Sequence, residues 1–425
     1  MIAWLATVGE QLPIDSGDSR LMRTGTLARF LVGGGHSVVW WTSTFNHVHK
    51  HHRFQTDKEV VIDSRLSIHL LHGTGYSHHV SLRRALDHAI VAAKFAKISR
   101  TRPRPDLIVA SLPTLELAAA CCAFGRRNGI PVILDVRDLW PDAFVEVLPK
   151  TLRPFAAPAV FGFRHLARFC CRNAQAIIGP AERYVEWGIN HAGRGRTTWD
   201  RQFPFAYPSI KPSSEAILEA EKFWNVLGIS RTQGEFYICF FGLLGRQFAL
   251  DTVIESARIL RDSYPRIRLI LCGDGDHSGF YKTLAKNCNN VIFPGWVGAA
   301  QIWSLMRMSA IGVAPYRPNA LFNDHLPNKP IEYLSANLPV LASVHGALGS
   351  LLEGHDCGVV YDSGSAHDLA RTIAGLHDNP DRLNIMAANA GHVYNQYFVA
   401  EQIYPEMVRF MEMINTSQPP VPLRS

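Results

Sequence analysis

Nowhere in this sequence do two cysteines stand in a Cys-x-x-Cys pair. The eight cysteines, at positions 121, 122, 170, 171, 239, 272, 288 and 357, lie mostly inside apolar runs. They read as small buried hydrophobes in a reducing compartment, which argues against a disulfide scaffold and against zinc. No run approaches the roughly 18 apolar residues of a membrane-spanning helix. The opening MIAWLATVGE is a short apolar run with no basic residues before it, so it reads as a first buried strand and not as a signal peptide. A cytoplasmic protein is expected. Charged residues are sparse at 19% against 47% hydrophobic, a globular composition that excludes a disordered chain. Acid is the scarcer sign: 36 Asp and Glu face 43 Lys and Arg, for a net charge of +7. That balance favours anionic partners such as a nucleotide or lipid headgroups. Nucleic acid is a weaker option, because no recognition-module pattern is present.

What the sequence has in quantity is short β-branched apolar runs alternating with helix-length segments. In the first half these runs are Ile2–Val8, Ser37–Thr42, Leu66–Leu71, Leu107–Ala110, Val132–Asp135 and Gln175–Ile178. In the second half they are Phe236–Phe241, Ile267–Cys272, Val291–Phe293, Ala310–Ala314, Val340–Ala342 and Gly358–Tyr361. Continuous apolar runs mark strands buried on both faces, as in parallel sheets. Their alternation with helices predicts an α/β protein of two doubly wound units, in keeping with the length of 425 residues. The expected division is 1–200, a linker at 201–234 marked by Pro204, Pro208 and Pro212, a second domain at 235–397, and a terminal helix with a frayed Pro-rich tail at 398–425.

Ligands of doubly wound sheets bind outside the carboxyl ends of the strands, so the motifs found there carry the functional reading. In HLPNKPIEYLSANLPVLA a Pro-Asn-Lys-Pro turn opens a short helix bearing Lys329 and Glu332. The free N–H groups and positive dipole of such a helix end suit an anion, Lys329 adds a cation, and Glu332 is placed to accept from a sugar or ribose hydroxyl. An ordinary surface helix with a Lys and a Glu fits the same residues. The turn FFGLLGR supplies Gly242, Gly245 and Arg246 after a strand, where glycines let a backbone approach a phosphate. LCGDGD supplies Gly273 and an Asp-x-Asp pair with no third acid placed to complete a metal site. In FPGWV, Trp296 and Val297 stand where backbone groups can pair with a base edge, or form a plain turn.

In the first half, the loop EQLPIDSGDSRLMRTG brings Arg20 and Arg23 to the start of a helix, and a loop of that length after a first strand is usually functional. DVRDLWPD sets Arg137 and Asp138 beside Trp140 at another strand end, a group able to bind a hydroxylated acceptor or act as a base, or simply a salt-bridged loop. The histidines of HVHKHH, 47–52, and the pair at 78–79 read as solvated loop residues. Two basic stretches, Val80–Arg104 and Leu148–Asn173, carry almost no acid; the second also holds Phe155, Phe161, Phe163 and Phe169. Basic and aromatic residues together suit an anionic membrane interface, and equally a packed helix with a solvated basic face.

These motifs resemble a known family. FFGLLG with ALDTVIESARIL, then LILCGDGD, NVIFPGWV, IGVAPYRPN, PNKPIEYLSANLPVLAS and CGVVYDSGSAHDLA are similar, in order and spacing, to glycosyltransferase family 4, the retaining GT-B enzymes. QLPIDSGDSRLMRTGTLARFLVGGGHSVVWWTSTF and DVRDLWPD resemble the fucosamine-transferase-like subgroup of bacterial O-antigen and capsule synthesis. The resemblance implies two facing Rossmann-like domains with a cleft between them, acceptor on the first and nucleotide sugar on the second, and a last helix crossing back. It places the family's acid–seven residues–acid motif on Asp324 and Glu332, with Asp where the family has Glu. The family's diphosphate-binding Arg and Lys fall on Leu243 and Phe248, so Arg246 and Lys329 are the expected substitutes.

The implied reaction is metal-free transfer, with retention, of a sugar of the N-acetylated amino type. The donor is a UDP-sugar and the acceptor a polyprenyl-diphosphate-linked saccharide, at the cytoplasmic face of a bacterial inner membrane. Asp138 is expected to handle the acceptor hydroxyl, with Arg20, Arg23 and Arg137 as acceptor contacts. Two other functions fit the same architecture. A UDP-sugar 2-epimerase would turn over donor alone, and a non-catalytic nucleotide-sugar-binding protein would turn over nothing.

Overall fold

A computed structural model describes residues 1–15, 21–78, 81–146, 151, 153–230, 234–318 and 326–417. The chain forms two compact units. The first comprises Met1–Asp15, Leu21–Pro204 and the chain from Gln402, and the second comprises Phe205–Glu401.

The strands, in chain order, are β1 (Ile2–Ala6), β2 (Ser37–Ser43), β3 (Phe45–Asn46), β4 (His51–His52), β5 (Lys58–Val61), β6 (Leu66–Leu71), β7 (Leu107–Leu112), β8 (Val132–Val136), β9 (Ala176–Gly179), β10 (Arg201–Gln202), β11 (Phe236–Phe241), β12 (Ile267–Cys272), β13 (Val291–Gly295), β14 (Ile311–Ala314), β15 (Val340–Ala342) and β16 (Gly358–Val360). In the first unit they form one sheet ordered β10-β9-β8-β7-β1-β2-β6-β5, and β3 pairs with β4 in a separate ribbon. The sheet is parallel except for β5, which runs antiparallel to β6. From β1 the chain builds outward through β2 to β6, then returns to add β7, β8 and β9 on the other side. The order therefore reverses between β1 and β7. Trp4 on β1 fills the core beside this point, edge-on to Trp41 at 5.1 Å and stacked on Phe124 at 5.2 Å.

The second unit repeats the scheme in six parallel strands ordered β13-β12-β11-β14-β15-β16, with the reversal between β11 and β14. Gly312 on β14 sets the height of the helix Asn328–Ser335. A Cβ there would lie 2.3 Å from the ring of Tyr333. Without one, the ring lies flat on the strand, fully buried, and its hydroxyl donates to the Val313 carbonyl at 3.2 Å. The helix that carries Lys329 and Glu332 is thereby pressed onto the sheet next to the reversal point.

In the stretch 201–234, expected as a linker, the described residues include ordered elements. Arg201–Gln202 is the edge strand β10, and Ser214–Val226 is a helix of the second unit whose Trp224 is fully buried. Pro204, Pro208 and Pro212 punctuate the path between them; proline's fixed φ suits such extended connections. The terminal helix Ala400–Thr416 joins the first unit for nearly all its length. There Tyr404 stacks on Phe30 at 5.4 Å and Phe410 packs on Phe203 at 5.2 Å. All eight cysteines are buried. No described helix is long and apolar enough to cross a membrane.

Candidate functional site

In the second unit the loops after β11, β12 and β13 are pressed into one platform. The Gly242 N–H donates to Cys272 O at 3.0 Å, Leu244 N–H to Asp274 O at 2.9 Å, and Gly273 N–H to Gly295 O at 2.7 Å. The approach is so close that a Cβ on Gly273 (φ +128) would stand 1.8 Å from the Gly242 carbonyl oxygen. Gly242 itself (φ +142) has the Lys329 side chain against it, its Cε 2.5 Å from where a Cβ would be. The Lys329 ammonium rests 4.5 Å from the centre of the Phe248 ring and 5.6 Å from that of Phe240. An aromatic face is a favourable seat for a cation. Lys329 is thus held over the glycine loop at the carboxyl end of β11. One turn along the same helix, Glu332 is buried with 1% exposed.

Gly242→Ala is expected to displace the Lys329 stem and to force a side chain into a backbone region that suits glycine. A stability loss of about 1 kcal/mol is expected. Melting curves of the variant and the unaltered protein check it, and an unchanged melting temperature would refute the contact.

The remaining residues of this unit are placed as follows. Arg246 donates from Nε to His277 Nε2 at 2.6 Å on the exposed side of the loop. Gly245 lies against the Gln247 carboxamide. Trp296 is 47% exposed directly after β13, while Val297 beside it is buried. Asp274 turns back on its own loop and accepts the Gly275 N–H at 2.8 Å, which together with the Ser278 side chain holds its carboxyl below the usual range. Among the described residues no group of three His, Cys, Asp or Glu is placed to hold a metal ion. Asp324 lies outside the described residues. Sequence reading passed over Arg317, which donates to both carboxylate oxygens of Asp251 at 2.8 Å and from Nε to the Arg246 carbonyl at 3.1 Å, so it braces the loop bearing Arg246.

In the first unit a chain of buried polar groups crosses the point where the strand order reverses. Thr7, after β1, meets Ser111 on β7 at 2.8 Å between hydroxyls, and the Thr24 hydroxyl donates to Thr7 at 3.0 Å. Glu10 accepts the Thr24 N–H at 3.0 Å and a short bond from Arg137. Arg137 Nε donates to Asp135 Oδ2 at 2.7 Å, and Arg23 Nε to the same oxygen at 3.0 Å. Arg23 also donates to the carbonyls of Phe203 and Pro204. Burial pushes the Asp135 carboxyl upward, but Arg137 and Arg23 outweigh it and hold it below the usual range. Arg137 is likewise held above its ordinary value, its two carboxylates outweighing burial.

Expected as acceptor contacts, Arg23 and Arg137 are therefore committed to internal partners. Arg23 is 4% exposed and Asp135 is fully buried. Arg20 lies outside the described residues. Asp138, half-buried after β8, accepts the N–H of Leu139 at 2.8 Å and a hydrogen bond from the Trp140 side chain. Burial raises its carboxyl above the usual range, with those two hydrogen bonds and the nearby Arg84 opposing the shift.

Arg84 was counted with a solvated or membrane-facing basic stretch, yet it turns inward. Its guanidinium lies 4.6 Å from the Trp140 ring centre and 5.5 Å from that of Tyr76. The histidine loop also differs from expectation. His51 and His49 are exposed, but His47 bonds the Tyr76 hydroxyl at 2.6 Å and His52 bonds the buried Thr44 hydroxyl at 2.8 Å. Tyr76 and Thr44 are buried residues with polar atoms, and the imidazoles satisfy them. His78 is exposed, and His79 lies outside the described residues.

Residues 228–393 match the family model of glycosyl transferases group 1. No curated protein sequence matches the chain. Among solved structures the chain is similar to sucrose-phosphate synthase from Thermosynechococcus elongatus, with a TM-score of 0.71 at 14% identity over 97% of this chain and 98% of that one. It is similar to Anabaena HepE in complex with UDP and glucose, with a TM-score of 0.64 at 16% identity over 97% and 99%. It is also similar to WaaG, a glycosyltransferase involved in lipopolysaccharide biosynthesis, with a TM-score of 0.66 at 15% identity over 98% and 100%. At these identities the likeness establishes the fold, which is GT-B with two Rossmann-like domains. The family match in the second unit supports a nucleotide-sugar glycosyltransferase.

Proposed function

We propose that the protein is a retaining glycosyltransferase of family 4 type that takes a sugar from a UDP-sugar and adds it to a lipid-linked saccharide in surface polysaccharide synthesis. The observation that carries this reading is Lys329, seated on Phe248 and across Gly242 at the strand reversal of the second unit. Transfer leaves a diphosphate that gathers negative charge in the transition state. A positioned ammonium and the N–H groups of the helix Asn328–Ser335 stabilise charge developing at that point. These groups supply what a divalent cation would otherwise contribute, so no metal is required in this reading. Solved relatives carrying UDP, or UDP with glucose, support UDP as the nucleotide. Glu332 orients the donor through a hydroxyl, with Gly242, Gly245 and Gly273 admitting the phosphates and Trp296–Val297 the base. Asp138 receives the acceptor hydroxyl.

The test is incubation with a panel of labelled nucleotide sugars, with and without a polyprenyl-diphosphate-linked acceptor, in EDTA. Transfer that needs acceptor supports the proposal. Conversion of donor alone identifies an epimerase, and UDP binding without turnover identifies a binding protein.

A lipid-linked acceptor calls for contact with a membrane. The helix Leu82–Ile98 exposes Leu82 (92%) and Leu86, and Arg153–Asn173 exposes Phe161 (69%) and Phe163, each among basic residues. Apolar tips among cations suit an anionic bilayer surface. Binding to vesicles rich in anionic lipid is expected to weaken with salt, and about tenfold on joint replacement of Phe161 and Phe163 by Ser. Vesicle sedimentation that ignores both changes would rule out docking through these helices.

A further inference from the structure

Three side chains that the transfer reaction does not use hold the loop after β6. The hydroxyl of Thr44, a fully buried residue between β2 and β3, lies 2.8 Å from Nδ1 of His52 on β4. The same hydroxyl lies 3.1 Å from Nδ1 of His72, directly after β6. The two imidazoles face each other with ring centres 4.3 Å apart. His72 Nδ1 is also 3.1 Å from the Phe54 carbonyl oxygen.

The acceptor at the far end fixes the protons along this chain. A carbonyl oxygen only accepts, so His72 carries its hydrogen on Nδ1 and donates to Phe54 and to the Thr44 oxygen. The Thr44 hydroxyl then donates to His52, whose Nδ1 must be bare to receive it. The His52 hydrogen therefore sits on Nε2. That atom faces the backbone of the loop, 2.8 Å from where a Cβ on Gly75 would stand. A proton on His52 Nδ1 undoes the arrangement. Two N–H groups would point at one hydroxyl oxygen, and the Thr44 hydrogen would lose its acceptor in a buried site. A positive charge would also form 4.3 Å from the second imidazole.

The charged groups around the pair come from three directions. On the ribbon of β3 and β4 stand Lys50, His51 and Arg53, and Arg53 donates to Asp15 at 2.7 Å. Behind His72, Asp57 accepts its backbone N–H and the Lys94 ammonium, both at 2.7 Å. From the helix Leu82–Ile98, the fully buried Asp87 accepts the Gly75 N–H at 2.7 Å, and Arg83 donates to the Gly75 and Thr74 carbonyls. Arg84 and His88 of that helix lie against Tyr76. Asp15 and Asp57 are thus paired with cations, and Asp87 is the acid of the three that favours a charged His52. Burial and His72 outweigh it, together with a smaller push from His51, and hold His52 below the ordinary histidine value despite its bond to the Thr74 backbone.

We propose that Thr44, His52 and His72 form an acid-sensitive latch that pins the ribbon of β3 and β4 onto the loop 72–76 while His52 is neutral and releases it when His52 Nδ1 takes a proton. That loop stands at the carboxyl end of β6, the end of a doubly wound sheet at which ligands bind, so the latch controls order at this edge of the first unit. It does not depend on the proposed transfer reaction. Because the folded His52 titrates below its unfolded value of about 6.5, the latch contributes fully above that pH and is lost as pH falls through the folded value.

Hydrogen exchange on the full chain, corrected for the pH dependence of the intrinsic rate, reads the latch directly. The amides of Thr44, Arg53 and Gly75, bonded to Leu71 O, Thr44 O and the Asp87 carboxylate, report on the ribbon and the loop. Their protection is expected to fall about tenfold from about pH 7.5 to about pH 5.5, while the amides of β1 and β7 change little. His52→Asn keeps an acceptor oxygen near the place of Nδ1 and does not titrate, so its protection should be equal at both pH values. Thr44→Val should show the low protection at both. The same fall in a folded His52→Asn protein, or no fall in the unaltered protein, overturns the latch. Long-range proton–nitrogen correlation of the histidine-labelled, unaltered protein at neutral pH reads the tautomer: a bare Nδ1 on His52 is expected, and a hydrogen there overturns the proposal as well.

Discussion

Lys329→Met is expected to lower kcat by about 100- to 1,000-fold, the range seen when a single positioned donor to developing negative charge is removed. Methionine keeps an unbranched stem that packs on Phe248 and past Gly242, so the platform should survive and the melting temperature change little. What is lost is the ammonium alone. Because the diphosphate is more negative in the transition state than in the bound donor, the loss should fall mainly on kcat and less on KM. Arg246→Ala makes the comparison. Its guanidinium is turned to His277 on the outer side of the loop, and its removal should cost less than about tenfold. Equal losses at the two positions would mean that the diphosphate lies nearer Arg246. A Lys329→Met enzyme of normal kcat would falsify the assignment of Lys329 to the leaving group.

Asp135→Asn is expected to destabilise the first unit by about 3–5 kcal/mol, the usual cost of breaking a buried ion pair by removing one partner. The change is nearly isosteric, so packing is not the cause. Asparagine would leave Arg23 and Arg137 buried with Glu10 as the only acid of the network among the described residues. The same arrangement sets a pH dependence. The folded Asp135 carboxyl titrates below its unfolded value of about 3.9, so its contribution is complete above that value. It is lost as pH falls through the lower, folded value. Denaturant unfolding at pH 7 and through the acid range measures both effects. A loss under about 1 kcal/mol would show that the guanidinium groups find water or other acceptors once the carboxylate is gone.

The network also explains why part of the site was invisible in the sequence. Arg23 and Arg137 stand in polar loops at strand ends, where a cation normally awaits a ligand. Arg23 finds Asp135 112 residues along the chain, and Arg137, besides its near neighbour Asp135, finds Glu10 127 residues away. No local pattern reports such a pairing, and an arginine aimed at a substrate has the same sequence as one aimed at a buried aspartate. Arg84 shows the converse. It sits in a run of basic residues that reads as a solvated face, yet two aromatic rings, one from the loop after β6 and one from the loop after β8, enclose it. The small strands were missed for a different reason. β3, β4 and β10 have two residues each, and β5, KEVV, is an edge strand exposed along most of its length. Elements that bury so little carry no hydrophobic period.

By itself the sequence determined the two doubly wound units, because strands buried on both faces, as most of the twelve are, must be written as nearly continuous apolar runs. It determined the glycines of the loop platform in the second unit too. Where backbone approaches backbone as Gly273 approaches Gly242, no other residue fits, and the requirement shows as a glycine at a strand end. It offered Lys329 as one of two candidate cations. Only the tertiary structure set their surroundings apart, seating Lys329 on Phe248 and turning Arg246 to His277. It alone decided which arginines of the first unit are spent on folding and which one lies against Tyr76 and Trp140. Periodicity and backbone conformation are local properties that each stretch of chain carries in its own residues. The pairing of charges depends on which distant segments the strand order brings together.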